Sequence, residues 1–312
     1  MIASEPATPT VPPPLERTYD PAWVVETARS NGLERMGVRP RLGEYLGELW
    51  RRRTFIRVLA VSKSQASNQN TYLGQVWALL TPILNAAVYI LIFGIILKVG
   101  RAGIENTIAF IVVGVFFFRF FERSIHAGSK AIRSNLSLVR SVHFPRAVLP
   151  MAGVLAELTT LLPALVVMCL ISYFSGLLPN EGDVPLAWRW FLLIPAVILI
   201  WAFSTGCAFI MARLVAQTPD IDNLIPFGTR LLMYASGVIF SIDHFLGSFS
   251  WGWIMKYQPV AVYLELARSA ILKEPSAPLD PMMWLIGLVW AIVFLAGGFL
   301  FFWQGEETYG RN

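Results

Sequence analysis

Residues 77–97 read WALLTPILNAAVYILIFGIIL, a run of 21 residues without a charged side chain. An α-helix rises about 1.5 Å per residue, so such a run covers the roughly 30 Å of hydrocarbon in a bilayer. A helix also pairs its backbone N–H and C=O groups internally, as a lipid environment requires. This stretch therefore predicts a membrane-spanning helix.

The rest of the chain repeats this pattern. Apolar residues make up 55% of the 312 residues and charged residues 14%, and the mean hydropathy is +0.57. This balance excludes an ordinary water-soluble domain. The apolar runs are 77–97, 107–121, 147–178, 190–212, 224–242 and 282–303. We therefore expect an all-α membrane protein with six transmembrane helices in a domain spanning 77–303.

Basic residues indicate which loops stay in the cytoplasm, because Lys and Arg near the ends of spans resist translocation. One group precedes the first span, and a second lies between spans two and three: Arg123, Lys130, Arg133, Arg140 and Arg146. Both termini are then cytoplasmic, with a Pro-rich tail at 1–40 and a short tail at 304–312. The tail at 1–40 lacks the order of charged and apolar residues found in a signal peptide.

Segment 41–66 has apolar residues at three- and four-residue spacing opposite a set of arginines, which predicts an amphipathic helix on the membrane surface. The arginines are Arg51, Arg52, Arg53 and Arg57. They could anchor the helix to anionic lipid. Alternatively, they could recognise the diphosphate of a lipid carrier, because guanidinium groups bind phosphate oxygens in pairs.

The outer segment 251–272 is too apolar for a solvated loop, yet Glu265 and Arg268 make it a poor span. We expect it to enter the membrane and return, beside a cavity that solvates its backbone. The alternative is an interfacial belt of Trp251, Trp253 and Tyr257.

Two charges lie deep within predicted spans, Glu157 and Arg230. Isolated charges are costly there, so they could pair with each other or contact a substrate.

Aromatic residues share helix faces in two spans. Tyr89 and Phe93 are four residues apart, and Phe227 and Tyr234 are seven apart. Core packing and the lining of a channel are both open interpretations.

No phosphate-binding loop of the G-x-x-x-x-G-K-[ST] type occurs in the sequence, so we expect no ATPase activity in this chain itself. Asp220 and Asp222 resemble the paired carboxylates of some glycosyltransferases, but their loop is too short to receive a nucleotide sugar and they fit a helix start. Cys169 and Cys207 fit apolar packing, and the three histidines lack ligand-like spacing. We expect no catalytic residue, cofactor or metal.

Three motifs in order resemble the permeases of type-2 ABC exporters. The first reads YLGQVWALLTP at 72–82, the second reads NLSLVRSVHFPRAVLP at 135–150, and the third is Gln258-Pro259 with Tyr263, Glu265 and Arg268. The resemblance is greatest for exporters of O-antigen, teichoic acid and similar lipid-linked polysaccharides.

The resemblance implies a bacterial inner-membrane protein that dimerises with a second copy of itself and recruits two ATPase subunits, which bind ATP and Mg. Its other partners would be membrane lipid and the lipid-linked polysaccharide, with no nucleic acid. The expected ATPase coupling residues are Asn135, Arg140, Val142, His143, Phe144 and Arg146.

The cargo is open at this level. The 20 arginines against 5 lysines fit a high-GC genome, and an actinobacterial (mycobacterial) galactan exporter, with a decaprenyl- or undecaprenyl-diphosphate carrier, is the specific expectation. A drug, haem or other lipid exporter of the same superfamily is the alternative. A secondary transporter would show inverted repeats and more charges near the midplane.

Overall fold

The computed structural model describes residues 40–66, 72–74, 76–96, 103–142, 144–179, 181–246 and 252–309. All regular elements in these ranges are helices, which confirms the all-α prediction. The helices are α1 (Leu42–Arg51), α2 (Arg53–Ala66), α3 (Val76–Tyr89), α4 (Thr107–Ser129), α5 (Leu136–Ser141), α6 (Val148–Ser175), α7 (Leu193–Gln217), α8 (Ile221–Ala235), α9 (Ile242–Leu246), α10 (Gly252–Tyr257), α11 (Pro259–Ile271) and α12 (Pro281–Gln304). The predicted tail at 1–40 lies outside this description except for Pro40.

Three helical segments are long and apolar enough to cross a membrane: Val148–Ser175, Trp188–Gln217 and Pro281–Gln304. Helix α4 has 23 residues but carries Arg119, Glu122 and Arg123 in its second half. Helix α3 continues as a π-helical stretch, Ile90–Ile96. The number of six spans stays a prediction.

Helix α8 differs most from the predicted span 224–242, because its 15 residues cover only about 22 Å. It ends at Ala235, and Gly237 follows with φ +65°, a left-handed conformation that favours glycine. The chain therefore leaves the helix about seven residues before the apolar run ends.

Close backbone contact holds the central helices together. A Cβ added to Gly206 of α7 would lie 2.2 Å from the carbonyl oxygen of Phe294 in α12, and one added to Gly298 would lie 2.2 Å from that of Gly206. A Cβ added to Gly128 of α4 would lie 2.5 Å from the Cβ of Ala208 in α7. Small residues that permit such approach are typical of helix packing in membranes.

The N-terminal segment forms two helices that meet at Arg52, instead of one continuous amphipathic helix. Tyr45, Leu49, Ile56 and Ala60 are buried against a cluster built from α6, α7 and the end of α12. The apolar face therefore packs on the protein. Its position at a membrane surface stays a prediction.

The outer segment consists of two helices, α10 and α11, which are separated at Gln258. Pro259 occupies the first turn of α11, where its missing N–H costs no helical hydrogen bond. Nearly all of α11 is buried against α4, α7 and α12. Its depth in a bilayer stays a prediction.

Candidate functional site

A half-open cavity of about 260 Å³ lies between helices α3, α4 and α6. Its polar lining includes Thr81 of α3, Arg119 and Arg123 of α4, and Glu157 of α6. Arg123 Nε lies 2.8 Å from Glu157 Oε2. Arg119 donates to Glu122 Oε2 at 2.8 Å and to Asn85 Oδ1 at 2.7 Å. These contacts join α3, α4 and α6 through charged groups.

The partner of Glu157 is therefore Arg123, and the pairing with Arg230 that the sequence allowed does not form. Arg230 lies on α8 with its side chain exposed. It shares one face with Phe227, Leu231 and Tyr234, which are also exposed, at positions three or four residues apart.

Of the four aromatic residues proposed from the sequence, Phe227 is 71% exposed and Tyr234 is 52% exposed. Tyr89 is partly buried and donates to Met233 Sδ at 3.2 Å, which links α3 to α8. The side chain of Phe93 lies outside the described part of the chain. The structure therefore places the two α8 aromatics on an open surface and Tyr89 at a helix contact.

Helix α8 is hydrogen-bonded to other parts of the chain at both of its ends. At one end, Ser129 Oγ donates to Asp222 Oδ1 at 2.8 Å, so Asp222 bonds to α4. Asp220 occupies the N-cap position but makes no capping bond there. Behind the helix lies a largely apolar groove of about 360 Å³, bordered by α4, α7, α11 and α12. Ile225 and Thr229 of α8 are buried and also line this groove, so one face of the helix packs on the protein.

At its other end, the third motif binds the C-terminal carbonyl groups of α8. Gln258 Nε2 donates to the Ala235 carbonyl at 2.8 Å and lies 3.1 Å from Ser236 Oγ. The buried Arg268 donates to the carbonyls of Gly237 and Val238, both at 2.9 Å. The bond to Ala235 satisfies a carbonyl that the helix end leaves unpaired, whereas Gly237 and Val238 belong to the turn after the helix. The outer segment therefore positions α8.

Arg268 also contacts α4. Its guanidinium carbon lies 3.4 Å from the ring centroid of Phe110, a cation–π contact inside the protein. A Cβ at Gly114 would lie 2.6 Å from an Arg268 terminal nitrogen, so this glycine makes room for the arginine. Glu265 and Arg268 led us to expect a segment that enters the membrane and returns. The groups that Arg268 binds are visible only in the fold.

Three side chains accept hydrogen bonds at the N-terminus of α4. Asn106 accepts from the Ala109 N–H at 2.8 Å, and Glu181 accepts from the Thr107 N–H at 2.8 Å. Glu274 accepts from the backbone N–H groups of Glu105 and Asn106. Carboxylates favour this position because of the helix dipole. The cap joins the loops that contain Glu181 and Glu274 to α4.

A buried cluster joins three distant parts of the chain, near the start of α6 and the end of α12, and we call it the clasp. It consists of Tyr45, Arg146, Ala147 and Glu306. Tyr45 donates to Glu306 Oε2 at 2.8 Å and accepts from the Ala147 N–H at 3.1 Å. The Arg146 N–H donates to Glu306 Oε1 at 2.9 Å, and its guanidinium donates to the Glu306 carbonyl.

Burial raises the pKa of Glu306, and the bonds from Arg146 and Tyr45 oppose that rise. Burial likewise raises the pKa of Tyr45 above its ordinary range, so the phenol stays protonated as a donor. The clasp ties α1 to the start of α6 and to the turn at Glu306–Thr308 after α12. Sequence analysis had treated 304–312 as a tail and gave no sign of this contact.

Some of the predicted coupling residues are exposed, and others are buried in the protein. Val142 is 47% exposed and Arg140 is exposed on α5. Phe144 is buried and packs edge-on against Phe55 at 5.8 Å between ring centroids. Asn135 donates to the Ala131 carbonyl, and Arg146 belongs to the clasp. His143 lies outside the described residues.

The arginines of α1 and α2 lie on an open surface. Arg51, Arg53 and Arg57 are exposed, and Arg52 pairs with Glu48 at 3.2 Å. Arg53 lies over the ring of Trp50 at 5.3 Å. They do not converge on a pocket among the described residues, and their role stays a prediction.

No group of three or more His, Cys, Asp or Glu side chains in the described ranges is arranged to hold a metal ion. Cys207 is buried and Cys169 is partly buried, both as free thiols.

Comparison with known proteins gives a family. The family described as "ABC-2 type transporter" matches residues 54–272. The chain is 26% identical over 250 residues to the O-antigen export system permease protein RfbA of Myxococcus xanthus, which covers 78% of this chain and 92% of that protein. It is 25% identical over 232 residues to a protein of the same name from Klebsiella pneumoniae, which covers 73% and 84% of the two chains. The long apolar helices are those of a membrane protein. Because the family match covers more than half of the sequence, this chain belongs to the ABC-2 type transporter family.

Proposed function

We propose that this chain is the permease subunit of an ATP-driven exporter that moves lipid-linked polysaccharide out of the cytoplasm. The observation that carries the proposal is the similarity to O-antigen export permeases along almost the whole length of one of them. The sequence has no phosphate-binding loop, so the energy would come from a separate ATPase subunit with ATP and Mg. Two permeases and two ATPases would form the complex in the bacterial inner membrane, with both termini of each permease cytoplasmic.

The exposed face of α8 supports a transport path. Arg230 lies between Phe227 and Tyr234 on this face. An arginine that faces lipid within a span costs several kcal/mol, about 2.5–3.5 on insertion scales. A wet channel between two copies removes that cost, and aromatic rings beside the arginine offer flat apolar surfaces to sugar rings. We assign Phe227 and Tyr234, with Tyr89 and Phe93 of the first span, to this channel.

The exposed part of the segment after α4 is the proposed ATPase contact. Val142 and Arg140 lie two positions apart in the sequence, and both expose their side chains, one apolar and one basic. Phe144 and Arg146 connect this surface to α2 and to the clasp. A displacement of Val142 by the ATPase would therefore be transmitted to α1 and α2 and to the end of α12.

The arginines of α1 and α2 would attract the diphosphate of the cargo to the membrane surface near the first span. Galactan on a decaprenyl- or undecaprenyl-diphosphate carrier is the specific cargo that we propose.

Depletion of this chain in its own host tests the proposal. Lipid-linked polysaccharide is expected to accumulate on the cytoplasmic side, where externally added glycosidase cannot reach it, while its synthesis continues. Normal amounts of surface polymer after depletion would contradict the proposed function.

A further inference from the structure

The lining of the cavity between α3, α4 and α6 has more guanidinium groups than carboxylates. It contains Arg119 and Arg123 and one carboxylate, Glu157. Glu122 lies outside the lining and pairs with Arg119, so each arginine has a carboxylate partner. The surface that faces the cavity therefore offers guanidinium N–H donors that suit an anion.

Arg123 has guanidinium N–H groups that its ion pair with Glu157 does not use. Its Nε lies against Glu157, and its two terminal nitrogens donate to no residue in the described part of the chain. The side chain is 38% exposed and that of Glu157 is 19% exposed, so the pair borders open space. A purely structural ion pair in a membrane protein is expected to use its donors internally, because unpaired donors are costly in lipid.

The cavity lies at the depth of a lipid headgroup. Arg123 is six residues from the end of α4, and Glu157 is nine residues from the start of α6. At about 1.5 Å per residue these positions lie roughly 9–14 Å inside the ends of the two helices. With the proposed orientation, both ends are cytoplasmic. The cavity therefore lies near the boundary of headgroups and acyl chains in the inner leaflet.

The size and the walls fit a diphosphate that is joined to a hydrocarbon chain. The volume of about 260 Å³ is ample for a small anionic group such as a diphosphate. Phe116, Leu161 and Ala164 add apolar walls next to the charged groups. Guanidinium groups bind phosphate oxygens through paired hydrogen bonds, which are stronger where water is scarce.

We propose that this cavity binds the diphosphate headgroup of the lipid-linked cargo, with Arg119 and Arg123 as its ligands. The assignment rests on the proposed function and adds a site to it. The exposed arginines of α1 and α2 attract the headgroup, whereas the cavity selects it by shape and by paired hydrogen bonds. Glu157 holds Arg123 in place and weakens binding by its own negative charge.

Binding of undecaprenyl diphosphate to the purified permease–ATPase complex tests the proposal, in nanodiscs of phosphatidylcholine. Arg123→Lys keeps the positive charge and the partner Glu157 but removes the planar fork. We expect its affinity to fall about tenfold, the size of one lost charge-assisted hydrogen bond. The matched control is Arg133→Lys, at an exposed arginine outside the cavity, which is expected to bind like the wild type.

Glu157→Gln separates a binding site from a structural ion pair. If the pair is only structural, Arg123→Lys and Glu157→Gln both lower thermal stability and affect binding alike. If the cavity binds the diphosphate, Glu157→Gln tightens binding while Arg123→Lys weakens it. Equal affinity of wild type, Arg119→Lys and Arg123→Lys overturns the proposal.

Two further arms identify the source of the phosphate. Phosphatidylglycerol added to the nanodiscs is expected to compete poorly, and full displacement of the probe at equal concentration would make the cavity a general anionic-lipid site. Inorganic diphosphate in solution is expected to bind more weakly than the lipid, and equal affinity would overturn the lipid assignment. The proposed function fails separately, if lipid-linked polysaccharide does not stimulate ATP hydrolysis by the wild-type complex.

Discussion

Removal of a single hydroxyl group, by Tyr45→Phe, is expected to loosen the clasp. Tyr45 is only 1% exposed, and its hydroxyl both donates to the Glu306 carboxylate and accepts from the Ala147 N–H. The ring stays in place in the variant, so no large cavity forms. The carboxylate loses a charge-assisted hydrogen bond, and a buried N–H is left without a partner. Together these losses cost about 2–4 kcal/mol of the free energy of unfolding.

The apparent melting temperature of the purified protein measures this loss. Each kcal/mol shifts the midpoint by about 2 °C or somewhat more in a protein of this size, which gives a fall of about 4–8 °C. The exposed phenol of Tyr173 on α6 offers a matched control, and Tyr173→Phe is expected to leave the midpoint unchanged.

The pH dependence of the same measurement follows from Glu306. Burial raises its pKa in the folded protein, so this carboxyl group stabilises the fold below its ordinary pKa and loses that contribution as pH rises through the raised value. The charged form needs the Tyr45 hydroxyl most. The difference between Tyr45→Phe and wild type should therefore be larger at pH 8 than at pH 5. Identical melting curves at both pH values would show that the hydroxyl does not hold the clasp.

Four other changes test separate parts of the molecule. Gly206→Ala should lower the melting temperature, since overpacking at the contact of α7 with α12 costs about 1–3 kcal/mol. The control Gly297→Ala should leave it unchanged, because a Cβ there meets no atom within 4 Å. Equal stability of the two variants would contradict the close approach of the helices. Gln258→Leu removes the bonds to the end of α8 and should reduce export more than ATP hydrolysis, and an equal loss of both would argue against a positioning role. Val142→Asp should weaken ATPase recruitment at unchanged stability, and normal recruitment would place the coupling surface elsewhere. Tyr234→Ala should impair export in a protein that folds normally, and normal export would remove this residue from the channel.

The long apolar helices α6, α7 and α12 were predictable because their apolar runs have at least the length that a bilayer demands. The break at Gln258-Pro259 was also predictable, because proline cannot continue the preceding helix but can begin the next one. These features depend on neighbouring residues in the chain.

Contacts between distant residues were not predictable in the same way. The Glu157–Arg123 pair depends on which faces of α4 and α6 meet, and a hydropathy pattern does not fix this rotation. The contact of Tyr45 with Glu306 joins residues 261 positions apart. The early end of α8 depends on Arg268, which binds carbonyl groups about 30 positions away. The apolar run at 224–242 continued past this end and concealed it.

The same limit applied to the candidate site. The sequence drew attention to the arginines at the start of the chain because they are clustered, although they lie on an open surface. Arg123 was counted only as cytoplasmic charge and Arg119 was not singled out, yet both line a cavity within the helix bundle. Arg119 and Arg123 are four residues apart and therefore share one face of a helix, and the next predicted span contains the charged residue Glu157. This combination was the signal that could have identified them.

Transport by the purified complex tests the central claim most directly. The permease and its ATPase subunit are reconstituted in liposomes with lipid-linked polysaccharide in the outer leaflet, in the orientation that exposes the ATPase to the medium, and the polymer that becomes protected from added glycosidase is measured. We predict that protection appears only with ATP and Mg, and that it disappears when the catalytic glutamate of the ATPase is replaced by glutamine. Failure of a complex that hydrolyses ATP to protect any polymer would contradict the account.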